Sequence, residues 1–428
     1  MKKLLGFVLV LMMLVSSAVL PALAEEPLQL TMYFPVNVGG DAAKLIDQMT
    51  ADFNAENPDV QVQAVYTGNY DDTVTAIQTA IQGGNAPDLF VSLATQRFTM
   101  ADTKMAMPLD DLIAADPEGQ AFVDDFIDGF MLDSYVDGSI YSIPFQRSTM
   151  VMFYNKDAFE EVGLDPEAPP TTWDEMVEYA QKLTNENRYG VGIALNSGSA
   201  QWAFTGFSLQ NCTNGVGLMS ADGKEVYFNT PENIEALQLW LDLQNKYKCM
   251  APGIVQWTDL PTQFLAGEVA MIYHTTGNLT NIKNNATFDF GVCFLPAGRQ
   301  WGAPTGGGNF YITNGISEER QKAAWEFIKF CCSTERAAQW SIDTGYVATR
   351  ESCYETQLLK DYYADFPQAL VAYEQLPYAQ PELTTYSAAE MWRILNDNIQ
   401  AAVTGEMTAA EALEAAQQQG DDLLFDYQ

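Results

Sequence analysis

Apolar positions recur every second residue in some stretches of the chain and every third or fourth in others, and the two periods alternate. Leu28 to Phe34 reads as a strand. Asp41 to Asn54 then sets Leu45, Ile46, Met49 and Phe53 at helical spacing, and Asn57-Pro58 stops it. Val60, Val62 and Ala64 alternate with Gln61 and Gln63, the pattern of a half-buried strand. Val74, Ile77 and Ile81 mark another helix, closed by Gly83-Gly84, and Asp88 to Leu93 predicts the next strand. This βαβαβ rhythm predicts an α/β fold with a parallel sheet covered by helices. The second half repeats the style. Thr172 and Glu175 form a capping box ahead of Met176, Tyr179, Ala180 and Leu183 on one helical face. Thr230-Pro231 opens a helix with Pro at the first position, where its missing N–H costs little, and Ile234, Leu237, Trp240 and Leu241 make its apolar stripe. Thr408 and Glu411 cap the last helix.

One stretch breaks the rhythm. Ile143 and Pro144 suit an extended crossing, and Met150 to Tyr154 is an apolar run that reads as a buried strand. Gly163, Pro166 and Pro169-Pro170 end the unit. The stretch resembles the segment of the solute-binding proteins of ABC importers that carries the chain from one lobe into the other. A ligand held between two lobes would touch it, so the pattern argues for a binding protein.

Composition narrows the classes. Residues 1–24 carry Lys2 and Lys3, an apolar run from Leu4 to Val15, and Ala22-Leu23-Ala24, which predicts a secretory leader cleaved before Glu25. No Cys stands at that point, so lipid attachment there is not expected. The mature protein is expected outside the cytoplasm, periplasmic or secreted. No later run reaches the roughly 18 apolar residues that span a bilayer. A 428-residue chain exceeds one ordinary core, so two domains are expected. The net charge is 21 − 56 = −35. Such a field repels nucleic acid and anionic lipid, and it opposes capture of anionic solutes.

Catalytic chemistry finds few parts. His274 is the only His, and no Gly-x-Ser-x-Gly accompanies it. Gly306-Gly307-Gly308 lacks the Lys and Ser/Thr of a P-loop, leaving a tight turn or a close backbone approach. One His excludes a His-rich metal site, so no metal, cofactor or enzymatic activity is expected. Of the six cysteines, Cys212 and Cys249 flank one subregion where a disulfide is open to them, and Cys331 and Cys332 face different sides of a helix. Sugar binding asks for flat rings among short polar groups. Tyr70, Trp202, Tyr346 and Trp392 stand in such surroundings.

Seven motifs carry a resemblance: Phe53-Asn-Ala-Glu-Asn-Pro58, Tyr66-Thr-Gly-Asn-Tyr70, Gly84-Asn-Ala-Pro-Asp88, Tyr154-Asn-Lys-Asp-Ala-Phe159, Phe264-x-x-Gly267-x-x-Ala270-Met271, Gly306-Gly307 and Thr344-Gly-Tyr346. Over nearly all of the mature chain they resemble the family 1 extracellular solute-binding proteins of ABC importers, nearest the branch that binds glycerol 3-phosphate and sugars. The stretch from Trp392 to Leu413 is similar to the end of the maltose-binding protein, where a Trp stacks on the sugar. The resemblance implies a two-lobe periplasmic-binding-protein fold of type II, maltose-binding-like, with discontinuous lobes and a hinge. It implies lobes of residues 25–143 plus 304–347 and of 144–303 plus 348–428. Crossings are expected near Ile143, between Pro296 and Pro304, and near Val347.

The ligand contacts implied by the branch fall on Tyr70, Ser148, Thr275 or Thr276, Gly306, Gly307 and Tyr346. Gln146 and Arg147 stand where the branch has Asn-Ser. Trp202 and Trp392 join the set as stacking rings. Two further departures bear on the ligand. Ala94 stands where the branch has a Glu for a glycerol hydroxyl, and Thr385 or Tyr386 where it has a phosphate-binding Arg. The expected function is a monomeric extracytoplasmic receptor that hands a carbohydrate or polyol to ABC permease subunits. The alternative is a receptor for glycerol 3-phosphate or a glycerophosphodiester that uses Arg147, and the remote one is a carbohydrate-active hydrolase.

Overall fold

The computed structural model describes residues 26–428 except 37, 39, 40, 197 and 214. The expected leader, residues 1–24, lies outside the described residues. The alternating periods become strands β1 (Leu28–Phe34), β2 (Val60–Tyr66) and β3 (Leu89–Leu93), separated by helices Ala42–Glu56 and Tyr70–Gln82. β1 runs parallel to both neighbours. The helix at Tyr70 starts on a reciprocal capping box in which Asn69 accepts from the Asp72 N–H and the Asp72 carboxylate accepts from the Asn69 N–H.

A small hairpin of β4 (Tyr135–Val136) and β5 (Ser139–Ile140) precedes β6 (Ile143–Asn155). β7 (Tyr189–Gly192), β8 (Val269–Thr275), β9 (Phe290–Cys293), β10 (Ala303–Ile312) and β11 (Ala379–Gln380) follow. β6 joins two sheets. Its first half lies antiparallel to β10, with Ile143 opposite Phe310 and Thr149 opposite Thr305. Its second half lies antiparallel to β8 and β9, with Met150 opposite Thr275. The strand expected at Met150 therefore begins at Ile143, and its change of partner falls between Thr149 and Met150. Every residue of β6 is buried.

The expectation of a parallel sheet holds for β2-β1-β3, and β7 and β11 also run parallel to their partners β8 and β10. β10 enters between β3 and β6 and runs antiparallel to both, because it returns from the second sheet toward the first. Two large apolar clusters result. One gathers β1, β3, β10 and the start of β6 under helices Ala42–Glu56 and Glu318–Cys331. The other gathers the end of β6 and β8 under helices Trp173–Leu183, Ala200–Asn211, Pro231–Asn245, Ala388–Val403 and Ala409–Leu424.

Details of the caps and thiols differ in part. The Thr408–Glu411 box forms as expected, and Thr230 caps the Pro231 helix. At Thr172 the hydroxyl accepts from the Glu175 N–H, but the Glu175 carboxylate accepts from the N–H and hydroxyl of Thr171, one residue earlier. Cys212 and Cys249 are both free thiols, and their Sγ atoms donate to the carbonyls of Leu209 and Leu243. Cys331 and Cys332 both enter the first apolar cluster, since the helix ends between them.

Candidate functional site

A cleft of about 320 Å³ opens where the two sheets meet, and both sides contribute to it. Its size suits a small-molecule ligand. Tyr70 enters as the first residue of its helix, just after the Gly68-Asn69 turn, and its hydroxyl donates to Gln146 Oε1 at 3.2 Å. Tyr346 enters beyond Gly345, which ends helix Thr334–Thr344 in the left-handed region. Burial pushes both phenols up, so they remain neutral hydrogen-bonding groups.

Three indoles form the rest of the aromatic wall. The Trp202 Nε1–H donates to the Thr305 carbonyl at 2.9 Å, and the Trp392 Nε1–H to the Leu383 carbonyl at 2.8 Å. With their N–H groups satisfied inside the protein, these indoles meet the cleft as apolar rings. Trp257 stands 5.5 Å from Trp202 at 66° and stacks on His274 at 3.7 Å. Burial lowers the His274 pKa to about 3, so the ring is neutral. Its Nδ1 faces the Asn278 amide Nδ2 at 3.0 Å, which leaves Nε2–H to donate to the Trp257 carbonyl.

Gly306 and Gly307 form the floor. A Cβ on Gly306 would stand 2.7 Å from Trp202 Cζ2, so only glycine lets the indole lie against the strand. Gly307 has φ +94°, and a Cβ there would meet the Gln146 carbonyl oxygen. The glycine run is thus a close backbone approach, one of the two structural options its sequence leaves open.

Of the sequence-derived site residues, the structure brings Tyr70, Ser148, Trp202, Thr275, Gly306, Gly307, Tyr346 and Trp392 to the cleft wall. It places three behind that wall. Gln146 meets the cleft only through Tyr70. The Thr276 hydroxyl accepts from the Thr149 N–H at 3.4 Å. Arg147 is fully buried: its Nε donates to the Gly306 carbonyl at 3.0 Å, Nη1 to Asn309 Oδ1 at 3.0 Å, and Nη2 to Asp133 Oδ2 at 2.8 Å. Asp133 also holds Arg97 at 2.8 Å. The reason is the pleat. Side chains alternate along β6, so a strand that turns Ser148 to the cleft turns Arg147 to the opposite face.

Sequence reasoning missed Trp257, Gln201 and Glu382 in the wall. Trp257 lies between Gln256 and Thr258, the same ring-among-polar signal that marks Trp202. Gln201 directly precedes Trp202. Glu382 is one of 56 acidic residues and carries no local signal. Asn69, Asp71, Asn196 and Ser199 add further polar groups. No Lys or Arg lines the cleft among the described residues. Among the same residues no His/Cys/Asp/Glu group could hold a metal ion, and no helix is long and apolar enough to cross a membrane.

Comparisons with known proteins bear on this geometry. Residues 48–368 match the family model described as bacterial extracellular solute-binding protein. The sn-glycerol-3-phosphate-binding periplasmic protein UgpB of Pectobacterium atrosepticum is 30% identical over 408 residues, 90% of this chain and 89% of that protein. Among solved structures, UgpB from Mycobacterium tuberculosis in complex with glycerophosphocholine is similar with a TM-score of 0.79 at 25% identity, over 94% of this chain and 98% of that one. The cyclic alpha-maltosyl-1,6-maltose binding protein from Arthrobacter globiformis is similar in fold, with a TM-score of 0.79 at 24% identity, over 94% of this chain and all of that one. The two-lobe periplasmic-binding-protein fold expected from the sequence is the fold of the chain.

Proposed function

The chain belongs to the bacterial extracellular solute-binding proteins that serve ABC importers, and from that premise we propose that its cleft captures a neutral carbohydrate or polyol for an ABC permease. One observation carries this reading: the wall combines three indoles and two phenols with hydroxyl and amide groups, and no cation lines it among the described residues. Rings offer apolar faces to the C–H side of a sugar, and the polar groups fix its hydroxyls. A phosphate asks for charge-assisted donors. Here it would meet the Asp71 carboxylate, while Arg147 is tied to Asp133.

The same reading takes Tyr70, Ser148, Trp202, Thr275, the Gly306-Gly307 backbone, Tyr346 and Trp392 as ligand contacts. It takes residues 25–143 plus 304–347 and 144–303 plus 348–428 as lobes that close on the ligand. The protein acts as a monomer outside the cytoplasm, after cleavage near Ala24, and releases its ligand unchanged. The kinship with glycerol-3-phosphate-binding proteins favours a second reading, a glycerophosphate or glycerophosphodiester receptor. Calorimetric titration separates the two. Ribitol, tagatose, maltose or maltotriose is expected to bind, with glycerol 3-phosphate and glycerophosphocholine silent. Trp392→Ala is expected to weaken the sugar by about 1–3 kcal/mol. Tight binding of the phosphorylated compounds alone would replace the first reading by the second.

A further inference from the structure

Glu382 is a carboxyl in the cleft wall with only 4% of its surface exposed. Among the described residues its carboxyl receives one hydrogen bond, from Gln201 Nε2, at a long 3.4 Å. Gln201 is held in place for that contact. Its Oε1 accepts from Asn396 Nδ2 at 2.8 Å, which turns Nε2 toward Glu382, and its backbone N–H donates to Asn396 Oδ1 at 2.9 Å. A buried carboxyl with so little hydrogen bonding costs free energy until a partner completes it.

The charged neighbours decide its form. Arg147 and Arg97 both bind Asp133, and neither donates to Glu382. Asp133 disfavours a second negative charge there, and Arg147 acts the other way. We propose that Glu382 is a specificity-determining residue of this cleft, meeting a ligand hydroxyl as a neutral carboxylic acid. A neutral carboxyl donates and accepts at once, and so does a hydroxyl. A ligand ammonium offers donors alone and would call for a carboxylate. The inference rests on the carbohydrate reading of the same cleft and adds which functional group the wall selects. Burial, then Asp133, raises the Glu382 pKa to about 8, so the acid persists at neutral pH and is lost above it.

The test is calorimetric titration with whichever of ribitol, tagatose, maltose and maltotriose binds most tightly. Glu382→Ala should weaken binding about tenfold, and Glu382→Gln, which keeps a neutral donor and acceptor, should recover most of that loss. The unmodified protein should lose affinity about tenfold between about pH 7 and pH 9, while Glu382→Gln stays level. Equal losses in the two variants, or a flat profile in the unmodified protein, overturn the proposal. Binding by none of the four sinks the carbohydrate reading. Infrared difference spectra of the unmodified protein against Glu382→Gln then decide for Glu382 itself. A protonated-carboxyl stretch at neutral pH upholds the neutral acid, and its absence overturns it.

Discussion

Arg147 is the residue whose role changed most between sequence and structure. By sequence it is the one cation among the motifs that reach the cleft. In the fold it is a structural ion, locked with Arg97 onto Asp133 and bonded to the Gly306 carbonyl. Removing one member of a buried ionic cluster leaves its partners undercompensated, at a cost of about 3–5 kcal/mol. Arg147→Met is therefore expected to lower the urea midpoint strongly. Retained stability together with lost ligand affinity would mean that the guanidinium reaches the ligand after all. The residue types were legible in advance at Tyr70, Trp202 and Trp392, where a ring stands among small polar neighbours. Nothing local marks Glu382, because its character comes from Gln201, Asn396 and Asp133.

At the scale of elements, the pairing of β6 with β10 builds the cleft floor. The register shifts between Gly308 and Asn309, so Phe145 has no directly opposed residue: Pro144 pairs with Asn309 and Gln146 with Gly308. Such a bulge re-aims side chains next to a site. Gly307 sits beside it at positive φ, with the Gln146 carbonyl where a Cβ would go. Gly307→Ala is expected to cost about 2 kcal/mol or more, through both strain and collision. The same change at Gly405, also at positive φ but facing open space, is expected to cost about 1 kcal/mol. Equal midpoints for the two variants in denaturant titration would refute the role given to this approach. The first three strands, the two helices between them and the Thr408 cap could be read from period and capping residues alone. The antiparallel insertion of β10 could not, because strand order depends on partners far away in sequence.

At the scale of the molecule, two apolar clusters flank one cleft and share the strand β6. A ligand that touches both sides binds the closed arrangement better than an open one and shifts the population toward it. Small-angle scattering should therefore show a smaller radius of gyration when a tightly bound sugar is added. An unchanged curve at saturation would remove closure from the mechanism. The charge of −35 acts at this scale too. It repels anions over the whole surface, in the same direction as the cation-free wall, and raising the salt concentration should weaken that repulsion.

The sequence by itself determined the order of strands and helices in the first sheet, the helix starts at Thr230 and Thr408, the secretory leader as an expectation, and the family through its spaced motifs. These rest on signals a few residues long, where period, capping and turn chemistry act. Only the tertiary structure decided that β6 passes from one sheet to the other at Thr149–Met150, that Arg147 faces away from the cleft, and that Glu382 faces into it. Burial and the nearest charge are set by chain segments far apart, such as Asp133 beside Arg147 and Gln201 beside Glu382, and no local pattern encodes where those segments meet.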